Sequence, residues 1–161
     1  MATTTAQITL TSTDISDNSI SMSNTATLTK AGTATGLELC TGLRRRTFSG
    51  STTIKDLVNL YKHDDEITAS KAAKVYIKNV DTDSTKYVRI GIGDITDAAG
   101  AFADNDLNDA EEIGRLYAGD WMFFPYDATL TGGSNHANNA DIFIQPTHTN
   151  SLTVEYMVFF E

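Results

Sequence analysis

Acidic side chains form the group whose spacing comes closest to a known metal site. Asp104, Asp106 and Asn108 alternate along the chain as the first ligands of a calcium loop do. Asp109 stands where such a loop needs glycine, and Arg115 stands where it needs its last acidic ligand. This pattern excludes an EF-hand and leaves an irregular calcium site open.

A second acidic group follows His63 and consists of Asp64, Asp65 and Glu66. Consecutive carboxylates in an extended chain point in different directions, so a metal bound here would need ligands from elsewhere. A solvated turn is therefore favoured. We predict no metal site and no cofactor in this chain.

Catalytic side chains need a partner that activates them, and the sequence offers none. His136 and His148 have no serine or cysteine in a nucleophile motif nearby, and no base lies beside the single cysteine, Cys40. We interpret Cys40 as a small apolar filler. The segment Gly91-Ile92-Gly93 lacks the third glycine of a phosphate-binding loop. We therefore predict that the protein is not an enzyme.

Three consecutive arginines are the most unusual local feature of the sequence. Arg44, Arg45 and Arg46 can each pair in bidentate fashion with a carboxylate, and we favour pairing with another subunit over a solvated charge run. They lie where a threonine-rich segment joins the rest of the chain, and we predict a subunit interface there.

An aromatic run forms the other candidate binding surface. Trp121, Phe123, Phe124 and Tyr126 would stack against sugar rings if they shared one exposed face. The favoured alternative is a strand that is buried or covered by a subunit on both faces. We predict Trp121 and Phe124 as interface residues.

Charge and hydropathy exclude several classes of partner. The formal net charge of −9 over 161 residues repels phosphate backbones, so free nucleic acid is not an expected ligand. No run of 18 apolar residues predicts a membrane span, and the first residues lack the features of a signal peptide. We expect a soluble protein made in a cytoplasm.

Alternation of apolar and polar residues predicts strands along most of the chain. Residues 53–62 fit a helix or a strand, and we favour strand for their second half. Turn-prone residues separate two pairs of strands, and these patterns predict two β-hairpins, formed by residues 74–80 with 87–93 and by residues 112–117 with 121–125. Residues 94–112 are predicted to form a long surface loop, with one helical turn near 107–112.

About seven or eight short strands and no long helix predict an all-β fold, a β-sandwich or jelly-roll-like single domain. Residues 1–50 are rich in threonine and serine and are predicted to form N-terminal strands and an extended arm over residues 24–46. Residues 51–161 are predicted to form the sandwich core. Deletion of the arm is expected to abolish assembly and to leave residues 74–161 folded.

Several stretches together resemble virion structural proteins of tailed phages, particularly those of marine cyanobacteria. They are residues 28–32 (LTKAG), 41–46 (TGLRRR), 75–79 (VYIKN), 113–121 (IGRLYAGDW) and 154–158 (VEYMV). The resemblance implies a particle component without an active site. A capsid decoration or cement protein, a neck part and a fibre module are all consistent with it.

The single domain, the arm and the absence of repeats favour a capsid decoration or cement protein that binds the major capsid protein or other virion proteins. We expect a homo-oligomer, with a trimer favoured, located in the virion and assembled in the host cytoplasm. The alternative is a neck or tail-fibre adhesin module that binds a host-surface carbohydrate. A polysaccharide depolymerase is least favoured, because no catalytic carboxylate pair is recognisable.

Overall fold

Eleven β-strands account for most of the residues that the structure describes. The structure is a computed structural model that describes residues 4–13, 19–29, 34, 36–37, 39–49, 54–58, 72–93, 111–127, 141–147 and 151–160. The strands are β1 (Thr5–Ser12), β2 (Ile20–Thr27), β3 (Leu39–Cys40), β4 (Arg44–Phe48), β5 (Lys55–Val58), β6 (Ala72–Asn79), β7 (Tyr87–Gly93), β8 (Glu111–Tyr117), β9 (Trp121–Asp127), β10 (Asp141–Pro146) and β11 (Leu152–Phe160). The described residues contain no helix.

The strands form two large antiparallel sheets and a separate hairpin. The front sheet has the order β4-β11-β6-β9, with β3 paired to the far end of β11. The back sheet has the order β5-β10-β7-β8. Strands β1 and β2 pair with each other and form the N-terminal hairpin.

The strand order is that of a jelly roll. Strands β4 to β11 form four nested pairs. The first of these eight strands pairs with the last, and so on inwards: β4 with β11, β5 with β10, β6 with β9, and β7 with β8. A long antiparallel ribbon rolled into two sheets produces these four pairs. The prediction of an all-β, jelly-roll-like sandwich is therefore confirmed.

One apolar core lies between the two sheets. Val75 and Ile77 of the front sheet and Val88 and Ile90 of the back sheet are fully buried in the same cluster. Their alternate neighbours point outwards, which explains the period-two pattern of the sequence. The longest strand, β11, contributes alternate residues along its whole length, namely Leu152, Val154, Tyr156, Val158 and Phe160.

Both predicted hairpins are wrong. Strand β6 belongs to the front sheet and β7 to the back sheet, and the same is true of β9 and β8. The connections at 80–86 and 118–120 therefore cross from one sheet to the other. Alternation shows that one face of a strand is buried, but it does not show whether the next strand lies beside it or across the core.

The buried amide of Asn79 holds the two crossings together. Its Nδ2 donates to the carbonyls of Leu116 (3.1 Å) and Lys86 (3.4 Å), and its Oδ1 accepts from the backbone N–H of Asp81 (3.0 Å). The backbone of Asn79 also exchanges hydrogen bonds with Gly119 and Asp120. One fully buried residue thus satisfies backbone groups of both connections.

The first crossing continues with turns of the kind that the sequence predicts. The Oδ1 of Asp81 accepts from the N–H of Asp83, and the Oδ1 of Asp83 accepts from the N–H of Thr85, both at 3.0 Å. Each side chain caps the backbone two residues further on. The turn chemistry is therefore confirmed, although the turn does not close a hairpin.

Much of the predicted arm is folded. Strand β2 continues to Thr27, an antiparallel bridge joins Thr29 to Gly36, and Leu28 and Leu37 are buried. Strands β3 and β4 pair with β11, so the boundary predicted at residue 50 cuts through the front sheet. Deleting residues 24–46 would remove β3 and most of β4 from the front sheet, and folding of residues 74–161 without them stays a prediction.

The edge beside β11 is interrupted between β3 and β4. Gly42 has a φ of 70°, which favours glycine, and the Thr41 hydroxyl accepts from the N–H of Val158 at 3.1 Å, where a regular strand would use a carbonyl.

Cys40 is exposed on β3, so its interpretation as an apolar filler is wrong. Strand β5 covers residues 55–58, mainly in the first half of the segment 53–62. Residues 59–62, in the half where strand was favoured, lie outside the described residues, so that part stays a prediction.

We expect Asn79→Ala to lower the free energy of unfolding by about 2–4 kcal/mol, because the buried carbonyl of Leu116 and the partly buried Lys86 carbonyl and Asp81 N–H lose these hydrogen bonds. Urea unfolding at neutral pH measures this loss. Thr82→Ala, in the same connection but exposed, is the control and should change stability by less than about 0.5 kcal/mol. Equal stability of the two variants would contradict the role assigned to Asn79.

Candidate functional site

The three consecutive arginines lie on the edge strand β4, where they make contacts within the chain. Arg44 donates from Nε to the carbonyl of Thr41 at 3.3 Å. Arg46 donates to the carbonyl of Asp56 on the back sheet, and its guanidinium lies 5.0 Å from the ring centroid of Phe48.

Arg45 forms an ion pair with Glu155, its register partner on β11. The carboxylate is nearly buried, whereas 70% of the Arg45 side chain is exposed. A buried carboxylate without this partner would be costly, so the pair has a structural role in the monomer. Contact of the exposed part of Arg45 with another subunit stays a prediction.

The two predicted aromatic interface residues lie on opposite faces of β9. Phe124 points inwards and packs against the core, together with Met122. Trp121 is 49% exposed on the outer face, with its ring centroid 6.4 Å from that of Tyr76. Thus only Trp121 of this pair can reach a partner without unfolding the sandwich.

An aromatic groove runs between the outer face of the front sheet and the start of the N-terminal hairpin. Its volume is about 450 Å³. Phe123 and Phe159 pack edge to face, with ring centroids 6.2 Å apart. The remaining sheet residues that line it are Tyr76, Lys78, Trp121 and Met157, and the hairpin side contributes residues 4–8 and Leu28.

The N-terminal hairpin has one apolar face and one polar face. Its register places Leu10 opposite Met22 and Ser12 opposite Ile20, whereas threonines and serines face each other on the other side. Ile8, Leu10, Ile20 and Met22 are between 41% and 52% exposed. We call these four side chains the hairpin apolar face.

A polar cluster on the outer face of the back sheet consists of Arg89, Glu112 and Arg115. Arg89 and Arg115 are register partners, and two like charges in this position repel. A β-bulge between them and Glu112 shifts the register, so that Gly91 pairs with Glu112. Residues three apart in a regular strand point to opposite faces, and the bulge places Glu112 and Arg115 on one face.

Glu112 bridges the two guanidinium groups. Its Oε1 accepts from Nε of Arg115 at 2.9 Å, and its Oε2 accepts from Nε of Arg89 at 2.8 Å. Arg89 also donates to the side-chain oxygen of Gln145 at 2.8 Å. Hydrogen bonds from Arg89 and, secondarily, Arg115 outweigh partial burial and lower the pKa of the Glu112 carboxyl.

Tyrosine rings flank this cluster. The guanidinium of Arg115 lies 5.6 Å from the ring centroid of Tyr87, and that ring lies 5.0 Å from Tyr117. Together with Gln145, Pro146 and Thr147, the cluster and Tyr87 line a depression of about 490 Å³. This site could not be predicted from the sequence, because neither the bulge nor the pairing of β7 with β8 follows from residue spacing.

Both acidic groups considered as metal sites, residues 64–66 and 104–109, lie outside the described residues. Within the described part of the chain, no three His, Cys, Asp or Glu side chains are grouped closely enough to hold a metal ion. That part also has no helix long and apolar enough to cross a membrane. His136 and His148 fall outside it as well.

Comparison of the sequence with models of known protein families and with curated proteins finds no match.

We expect Glu112→Gln to be less stable than the natural protein at neutral pH, because it leaves Arg89 and Arg115 opposed without a carboxylate between them. The folded-state pKa of Glu112 is lowered, so its contribution is complete above the unfolded value of about 4.3. It is lost as the pH falls through the folded value. Urea unfolding between pH 7 and pH 3 should therefore show the two proteins converging in acid, and a constant difference would refute the assignment.

Proposed function

We propose that the protein is a non-enzymatic structural protein of a phage particle, a capsid decoration or cement protein that binds the major capsid protein shell as a homo-oligomer. The observation that carries this proposal is the hairpin apolar face. Folded monomers seldom leave a row of large apolar side chains half exposed on a separate element, and such a surface is typical of a contact with another protein.

The size of this surface favours several copies acting together. Covering one half-exposed leucine, isoleucine or methionine contributes about 1 kcal/mol, so one hairpin contributes about 4 kcal/mol. Micromolar binding needs about 8 kcal/mol in addition to the entropic cost of association. A trimer that presents three hairpins to a symmetric shell would gain the difference through multivalency.

Three other features support the proposal. Jelly-roll sandwiches are common in viral capsid domains, although the fold alone does not define a function. A net charge of −9 would keep decorated particles apart in solution. The five stretches that resemble tailed-phage virion proteins include the first three residues of β4, among them the exposed Arg45.

We expect the double variant Leu10→Thr/Met22→Thr to bind capsids at least about tenfold more weakly, because it removes the central cross-strand pair of the hairpin apolar face. Threonine keeps the strand propensity, so the fold should be unchanged. Cosedimentation of purified protein with capsids that lack it measures binding, and the heat resistance of those capsids measures cementing.

Thr11→Ala/Ser21→Ala, a register pair on the polar face of the same hairpin, is the matched control and should bind normally. The proposal fails if the natural protein neither binds nor stabilises such capsids. It also fails if the Leu10/Met22 variant binds as well as the control.

A carbohydrate-binding adhesin module is the second candidate, and the contact between exposed Trp121 and half-buried Tyr76 favours it. Both rings line the aromatic groove, and aromatic faces of this kind stack against the apolar face of a sugar ring. A groove of about 450 Å³ is within the size range of small-molecule sites.

We expect Trp121→Ala to abolish any binding on a glycan array while the circular dichroism spectrum and melting temperature stay close to those of the natural protein. Trp121 is half exposed, so its removal leaves no cavity in the core. Phe124→Ala, on the inner face of the same strand, should instead lower stability by about 2–4 kcal/mol. Unchanged glycan binding by Trp121→Ala would exclude this groove.

A further inference from the structure

The cluster of Arg89, Glu112 and Arg115 carries one positive charge, since two guanidinium groups surround one carboxylate. This local excess stands out in a chain with a net charge of −9. The arrangement also requires the β-bulge, which turns the side chain of Glu112 to the face that bears the two arginines. Without the bulge, Glu112 would point to the inner face of the sheet, and the opposed arginines would have no carboxylate between them.

The guanidinium of Arg115 is presented to solvent in a fixed orientation. Its Nε is bound to Glu112, its plane lies near the ring of Tyr87, and about half of the side chain is exposed. Within the described part of the chain, its two Nη groups make no hydrogen bond or ion pair. Two adjacent N–H donors held in this way match the two oxygens of a carboxylate.

The remaining walls of the depression fit a ring that bears hydroxyl groups. Tyr87 offers an aromatic surface, and the Thr147 hydroxyl, which donates to the carbonyl of Tyr87, keeps its oxygen as an acceptor. The volume of about 490 Å³ is within the range of small-molecule sites. A simple anion would use the guanidinium and leave the other walls without contacts.

We propose that this depression binds a carboxylated sugar, with the carboxylate on Arg115 and the sugar ring beside Tyr87. Uronic and sialic acids share this chemistry. The site lies on the back sheet, away from the aromatic groove and on another element than the hairpin apolar face, so it does not depend on the proposed capsid role.

Isothermal titration of the full chain with glucuronate, N-acetylneuraminate, glucose and acetate tests the site. We expect at least one acidic sugar to bind, and glucose and acetate to bind about tenfold more weakly or not at all. Arg115→Gln should weaken binding of the acidic sugar by about ten- to a hundredfold, the usual effect of losing charge-assisted hydrogen bonds. Arg115→Lys keeps the charge but not the planar pair of N–H donors, so its affinity for the acidic sugar should lie between those of the natural protein and Arg115→Gln.

Arg45→Lys is the matched control, because it changes an exposed arginine with a cross-strand glutamate partner on the other sheet and keeps the positive charge beside the nearly buried carboxylate of Glu155. It should leave sugar binding unchanged. Absence of binding by both acidic sugars, or equal binding by the natural protein and Arg115→Gln, would overturn the proposal. Equal affinity for acetate and the acidic sugars would overturn the sugar component. Capsid binding, measured separately, should not respond to Arg115→Gln.

Discussion

The amide of Asn79 determines where the chain can pass from one sheet to the other. Its side chain and backbone together bind Asp81, Lys86, Leu116 and the Gly119-Asp120 turn. The strands that follow these turns, β7 and β9, are therefore fixed relative to β6. The two crossings connect β6 to β7 and β8 to β9, so each joins the front sheet to the back sheet. The position of one sheet relative to the other therefore depends on one buried polar group whose hydrogen bonds are satisfied.

The sequence predicted what depends on local alternation. Strands with alternating valine and isoleucine, such as Val75 with Ile77 and Val88 with Ile90, lie where they were expected and face one core. The pairing of these strands was predicted wrongly. A connection that crosses the core and a hairpin within one sheet need the same turn residues and the same periodicity in the strands beside them. Asn79 lay near the end of the strand predicted at residues 74–80. Its role in holding the two crossings together could not be predicted, because it depends on Leu116, Gly119 and Asp120, which are distant in the sequence.

In the candidate surfaces, too, residue type could be used for prediction, whereas features that depend on strand pairing could not be predicted. Arg45 and Trp121 were recognisable from residue type, and both are exposed on the front sheet. The sequence could not show that Phe124 is buried and Trp121 exposed, because it does not show which face of β9 points to the core. The grouping of Arg89, Glu112 and Arg115 depends on a one-residue bulge and on the pairing of β7 with β8. Neither is encoded in a spacing that can be read along the chain.

The position of β11 in the middle of the front sheet has a consequence for synthesis of the protein. Strand β4 pairs with β11, and Arg45 meets a partner that follows it by 110 residues. A ribosome adding about 5–20 residues per second needs roughly 5 to 20 seconds to supply that partner. During this interval the edge of β4 lacks its neighbour, whereas the N-terminal hairpin, whose strands are close in sequence, can already close. We therefore expect the sandwich to fold slowly and late, because its contacts are distant along the chain.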